Sequence, residues 1–334
     1  MTDPPSPAID VRDIHRLPDA EAMRFVDNVL GPPDAWPSPL IKYRLGAEFQ
    51  ADWKVELGQW LKAAREFGFL DQVLHQLRTQ AQRPSKADTI DPNDERHLKL
   101  HQHLAVARIT HYLTALGWGF DAFEPDTGSS VDIDLSLRAP DGKLVEFQVK
   151  APDQPGRREN GRIVDGENDE RIVHAVRKAA GQLRRPAVAP SIIGVCANRD
   201  WALSWDIGCL VKLLMGSTSQ VGSRVFLTRA NAGVFFTDEW AHVSAVLVLD
   251  FVRGAEVGKY VCVALMNPDA IFPIAEGCFP RGRVMRLKDG TFGWVRGPPG
   301  DAHTLPDGTS LVDEIPDAAW AELRSRAEAA DADQ

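Results

Sequence analysis

A chain of 334 residues, 44% apolar and 25% charged, has the ordinary composition of a globular protein and length for one large or two medium domains. Its formal charge of -9 excludes a coat of positive potential and weighs against strong non-specific nucleic-acid binding, although a local basic stripe can suffice. No apolar run reaches the roughly eighteen residues of a membrane span, and Met1-Thr2-Asp3-Pro4-Pro5-Ser6-Pro7 lacks the regions of a signal peptide, so a cytoplasmic protein with no membrane partner is expected.

Residues 1–18 are rich in proline and read as a disordered N-terminus. Residues 19–90 read as a helical unit: Ala22, Phe25, Val26 and Leu30 come first, then a break at Gly31-Pro32-Pro33. Two or three helices follow through Phe49, Trp53, Leu57, Trp60, Leu61, Ala64, Phe67, Leu70, Val73 and Leu77 at helical spacing. The regular recurrence of Trp53, Trp60 and Phe67 suits a packing stripe better than a base-stacking platform. This unit is the natural place for a homodimer contact, a protein partner or substrate positioning. The stretch from Arg83 to Pro92 reads as a linker.

An α/β domain is expected over 91–275. Its first helix, about Asp94 to Leu116, carries Val106, Ile109, Leu113 and Leu116 on one face. His97 and His101 stand four apart on that helix, the spacing of two zinc ligands on one face. No Glu lies between them and no downstream Cys/His motif completes the set, so solvated or capping histidines are the better reading.

Next comes a hairpin. Val131, Ile133, Leu135 and Leu137 alternate with Asp132, Asp134 and Ser136. After Pro140-Asp141-Gly142, Val145, Phe147 and Val149 alternate with Glu146, Gln148 and Lys150. A three-residue loop places Ala139 opposite Lys143, and hence Asp132 opposite Lys150, Asp134 opposite Gln148 and Ser136 opposite Glu146. A two-residue loop would instead set Asp132 against Ala151 and part the two polar rows. If the register is displaced by two residues, Asp134 faces Lys150.

A polar, glycine-bearing loop follows Lys150, with Arg157, Arg158 and Arg162. The next helix buries Ile172, Val176, Ala179 and Leu183. Its flank carries Arg171, Lys178, Gln182 and Arg185, the best candidates for contacts to a phosphate backbone, alongside Arg157 and Arg158. Ser191 to Asn198 reads as an internal strand, Trp201 to Met215 as a helix on the sheet, and Val243 to Val252 and Tyr260 to Met266 as two further strands. Residues 276–334 read as a β-rich appendix and a last helix, Asp317 to Ala329. Cys196, Cys209, Cys262 and Cys278 are widely spaced and read as small buried hydrophobes in a reducing compartment, not a disulfide frame or a zinc site.

Asp132 followed by Gln148-Val149-Lys150 resembles the Asp…(Glu/Gln)-x-Lys signature of the PD-(D/E)XK, or restriction-endonuclease-like, nucleases. The chain order of a helix, a Gly117/Gly119 turn, three strands, an amphipathic helix and a strand is similar to that family's αβββαβ core with a mixed central sheet. The helix bearing Lys178-Ala179-Ala180-Gly181-Gln182-Leu183 resembles the Lys/Gln-rich helix found there. The likeness spans roughly Asp94 to Asn198. Gln148 stands where Glu is commoner, as in Mrr-type members, and no proline precedes Asp132.

The resemblance implies a divalent-metal-dependent phosphodiesterase acting on nucleic acid, a DNA endonuclease, with Mg²⁺ or Mn²⁺. Asp132 would be the principal ligand, Gln148 a carbonyl ligand, and Asp134 and Glu146 reserves, since Mg²⁺ takes oxygen ligands and keeps several waters. Lys150 would orient or deprotonate the attacking water and offset charge at the phosphate. Glu95 is carried over as the first-helix carboxylate and Gln182 as the polar residue of the later helix. The rival expectation is a nuclease-like fold that binds without cutting.

Overall fold

The computed structural model describes residues 18–31, 50–81, 95–126, 131–152, 158–159, 162–163, 168–196, 208–221, 224–252, 259–279, 283–288 and 291–295. The helix 317–329, the linker 83–92 and the first seventeen residues lie outside that set.

Apolar residues on two alternating faces make the sheet a middle layer. The hairpin strands β2 (Leu135–Arg138) and β3 (Leu144–Lys150) turn at Pro140-Asp141-Gly142. Gly142 takes φ 85, a left-handed conformation that carries little penalty only for a residue without Cβ. Ala139 N–H bonds to Lys143 O and Gly142 N–H to Ala139 O, both at 2.8 Å. The pairs Leu135 with Phe147, Ser136 with Glu146 and Leu137 with Val145 are those the three-residue loop predicts.

In the sheet, β1 (Gly119–Phe123) pairs antiparallel with β2, and β2 with β3. Then β3, β6 (Ser191–Cys196) and β9 (Ala245–Val252) run parallel, and β10 (Lys259–Met266) returns antiparallel to β9. These six strands form the layer that carries the site. The same mixed, open sheet continues through β11 (Arg283–Lys288), parallel to β10, then β12 (Thr291–Val295), β8 (Arg224–Ala232) and β7 (Gly216–Val221). A short separate hairpin, β4 (Arg158–Glu159) with β5 (Arg162–Ile163), lies in the connection after β3.

Helix α4 (Glu95–Ala115) covers one face, where Val106, Ile109 and Leu113 meet Leu135, Leu137, Phe147, Val149 and Ile192. Trp118 extends this core, its ring edge-on to Phe147 with centroids 5.8 Å apart. On the opposite face lie α5 (Asn168–Gln182) and α6 (Gly208–Met215), through Ile172, Val176, Ala179, Leu210 and Leu214 against Ile193, Val195, Val246 and Val248. Every side chain of β6 is buried, as expected of a parallel strand covered on both sides.

The N-terminal helices α1 (Asp19–Leu30), α2 (Gln50–Glu66) and α3 (Leu70–Ala81) build a third core from Val26, Leu57, Trp60, Leu61, Phe69 and Val73, which includes Leu104 and Ala107 of α4. Trp60 is a core residue, as a packing stripe requires. Stacked rings tie this unit to β1: Phe67 on Phe120 at 4.9 Å, Phe69 on Phe120 at 5.5 Å and Phe69 on Phe123 at 4.8 Å. Among the described residues no helix is long and apolar enough to cross a membrane.

Candidate active site

The alternation from Val131 to Leu137 predicts one strand with all four aliphatic residues on one face. The structure corrects this: the strand begins at Leu135, and Ile133 packs with α5 while Leu135 and Leu137 pack with α4. Asp134 N–H bonds to Phe147 O at 3.1 Å, although Phe147 already pairs with Leu135. Two residues thus oppose one, the signature of a β-bulge, which bends a strand and re-aims the side chain at the bulge.

The bulge turns Asp134 towards the edge of β3. Its Oδ2 accepts Val149 N–H at 2.6 Å and Gln148 Nε2–H at 2.7 Å. Asp132, expected directly across from Lys150, instead lies outside the strand and is exposed; its charge still reaches Lys150, Asp134 and Glu124. The carboxylate seated against the Gln-x-Lys strand is therefore Asp134.

Burial dominates the electrostatics. It pushes Asp134 up to about 6; the Lys150 charge and the Val149 hydrogen bond oppose the shift, while Asp132 and Glu124 add to it. Burial lowers Lys150 from its ordinary value, against the pull of Asp134 and Asp132 and with the repulsion of Lys178 on α5. Glu124 is also raised, first by loss of water around its carboxyl group and then by Asp132, although much of the side chain stays exposed. Taken together, three carboxylates, two ammonium groups and one amide interact where β3 ends. Such opposed shifts are what acid–base sites exhibit, though structural ion-pair networks produce them as well.

Gln148 is 1% exposed. Its amide donates to Asp134, while its carbonyl oxygen Oε1 is buried with no hydrogen-bond partner. A buried acceptor left open beside a carboxylate is a point at which a cation or a donor would be favourable. Among the described residues no three His, Cys, Asp or Glu side chains are grouped so as to hold a metal ion. That disfavours a cage of protein ligands, but not an ion that keeps most of its water and takes a carboxylate and an amide oxygen.

The other expected site residues are placed elsewhere. Glu146 shares a face with Gln148 and Lys150 but lies four residues, about 13 Å of strand, before the lysine; it is ion-paired with Arg184 at 2.9 Å. Gln182 sits about 6 Å of helix beyond Lys178, on the way to Arg184, with its Oε1 buried and without a partner. Arg185 bonds to His242 at 3.3 Å and approaches Glu239 at 3.8 Å. His242 precedes β9, so Arg185 is at the opposite end of the parallel strands from Lys150. Lys178 is exposed on α5. The side chains of Glu95, Arg157, Arg158, Arg171, His97 and His101 lie outside the described set.

Two residues were missed by the sequence reading. Glu124, just after β1, holds φ 44, the one positive φ outside glycine among the described residues, and its N–H bonds to Asp134 O at 3.0 Å. Backbone held in this region costs on the order of 1–3 kcal/mol and is enriched at functional sites; an isolated Glu before a Pro gives no such signal. Gln102, on α4, bonds through Nε2 to Val149 O and accepts Ala151 N–H on Oε1 at 3.2 Å. Its signal was present: a glutamine on the helical stripe that continues through Val106, Ile109 and Leu113. Comparison with protein-family models, with curated proteins and with solved structures finds no match to this chain.

Proposed function

We propose that this protein hydrolyses phosphodiester bonds of nucleic acid with the help of Mg²⁺ or Mn²⁺, as a DNA endonuclease resembling the PD-(D/E)XK enzymes. The observation that carries this reading is the convergence of Asp134, Gln148 and Lys150 at the carboxyl end of β3. The succession α4, β1, β2, β3, α5, β6, with β1 to β3 antiparallel and β6 parallel to β3, supports the restriction-endonuclease-like reading. So does the position of the polar set, since ligands of open α/β sheets bind beyond the carboxyl ends of the strands.

Asp134 and the open Gln148 Oε1 would hold the ion, with Asp132 reaching it through water. Bound there, the ion would offset the negative charge that develops on the phosphate. Lys150 holds the attacking water by a hydrogen bond and sets a compact positive charge beside the phosphoryl oxygens. Lys178, exposed on α5, steers the incoming backbone without reading its sequence.

The test is cleavage of supercoiled plasmid in Mg²⁺ or Mn²⁺ by the full chain, by Lys150→Ala and by Asp134→Asn. Both variants should lose at least about a hundredfold in rate while melting cooperatively and no lower than wild type. Undiminished cutting by Lys150→Ala would remove the mechanism. A second reading, a nuclease-like protein that binds and does not cut, is favoured by the hydrogen bonds that already occupy Asp134 Oδ2. Calorimetry separates the two: the hydrolase requires Mn²⁺ heat that disappears in Asp134→Asn.

A further inference from the structure

We propose that Gln102 is a positioning residue for Lys150: its side-chain amide takes the place of a neighbouring strand along the free edge of β3 and fixes the peptide units on either side of the lysine. The proposal rests on the hydrolase reading for its catalytic consequence and on hydrogen bonding alone for its geometry.

The pairing of β2 with β3 ends at Leu135 and Phe147. From there on β3 keeps one partner, β6, through Gln148 with Ile193, Val149 with Gly194 and Lys150 with Val195. The edge that β2 leaves free shows the N–H and C=O of Val149 and the N–H of Ala151. All three are filled by side chains. Asp134 Oδ2 takes Val149 N–H, Gln102 Nε2 donates to Val149 O, and Gln102 Oε1 accepts Ala151 N–H.

A primary amide offers one donor and one acceptor side by side, as a peptide group does. Gln102 therefore continues the ladder where the backbone of β2 has bulged away. A glutamate could accept from Ala151 but not donate to Val149, and a methionine could do neither. The base of the clamp is firm, because α4 is anchored by Val106, Ile109 and Leu113 in the core.

The two clamped peptides bracket Lys150, and their planes decide where its Cβ points. Lys150 is partly buried and lies on the face of β3 opposite Val149, the α5 side, so the direction of its Cβ sets where the ammonium group lies. A displacement of about 1 Å in a catalytic group can cost on the order of a hundredfold in rate. A purely structural glutamine would lower stability and leave turnover per folded molecule unchanged.

The experiment uses the full chain, supercoiled plasmid and Mg²⁺, with Gln102→Met and Gln102→Glu. Turnover is measured together with hydrogen exchange at the Ala151 amide and labelling of Lys150 by a bulky amine-reactive ester, read by mass spectrometry. Expected are a fall in kcat of about tenfold or more in Gln102→Met with KM for plasmid unchanged, a smaller fall in Gln102→Glu, and faster Ala151 exchange and Lys150 labelling in Gln102→Met. Wild-type kcat in a folded Gln102→Met overturns the proposal, as do unchanged Ala151 exchange and Lys150 labelling. If the wild-type chain does not cut, the hydrolase reading fails, and exchange and labelling alone decide the clamp.

Discussion

Asp134 is hydrogen-bonded to Val149 across the free edge of β3, Oδ2 to backbone N–H at 2.6 Å. A carboxylate thus does what a strand would do, and it is also the acid nearest to Gln148. Its ionisation is tied to the fold in a measurable way.

Burial raises Asp134 to about 6 from an ordinary 3.8. The folded chain therefore keeps a proton that the unfolded chain has lost in the interval between those values. Stability linked to this group is full below pH 3.8 and is lost as pH rises through about 6. Asp134→Asn removes that loss. It should melt a few degrees above wild type at pH 8 and no higher at pH 4, as followed by calorimetry. Millimolar Mg²⁺ should raise the wild-type melting temperature at pH 8, and chelation should reverse it, with no effect on Asp134→Asn.

The ion pair between Glu146 and Arg184 has its carboxylate almost wholly buried, and burial raises the Glu146 carboxyl against the opposing Arg184 charge. Removing one partner strands the other, so Arg184→Met should cost about 3 kcal/mol in urea unfolding, and Arg184→Met with Glu146→Leu should recover most of it. Mn²⁺ affinity in Glu146→Gln should match wild type, since this carboxylate stands apart from Lys150. A loss of Mn²⁺ binding in that variant would move the site along β3.

Glu124 pairs a left-handed backbone with a carboxylate coupled to Asp132 and Asp134. Glycine relieves the backbone, so Glu124→Gly should stabilise the fold by about 1 kcal/mol. If the carboxylate takes part in the site, the same variant cuts plasmid more slowly, and Glu124→Gln shares the loss of activity without the gain in stability. A Gly variant less stable than wild type by the roughly 0.5–1 kcal/mol that glycine's unfolded-state freedom costs would show that the conformation carries no strain.

Much of this arrangement was legible. Pro140-Asp141-Gly142 specified the loop and with it the pairing from Ser136 to Glu146, because each turn position suits few residue types. Helical and strand periods gave α4, α5 and β6 within a few residues of where they lie. The break at Asp134 was not legible, since Ile133 and Leu135 alternate as smoothly as any strand, and only the packing of α5 distinguishes them. The distant placement of Arg185 was hidden because spacing on α5 does not say where the helix ends relative to the sheet. Strands β7 and β8 went unread: Gly216–Val221 is polar, and its pairing with Arg224–Ala232 is set by partners distant in sequence.

The tight loop at Pro140-Asp141-Gly142 leaves no slack between the acid and the lysine. A single residue inserted or deleted in β3 between the loop and Gln148 would turn Gln148 and Lys150 away from α5 towards α4, and one in β2 would displace Asp134 instead, whereas a change at the loop apex could be absorbed without rotating the strands. Length variation in this hairpin should therefore be confined to the apex, or come in steps of two.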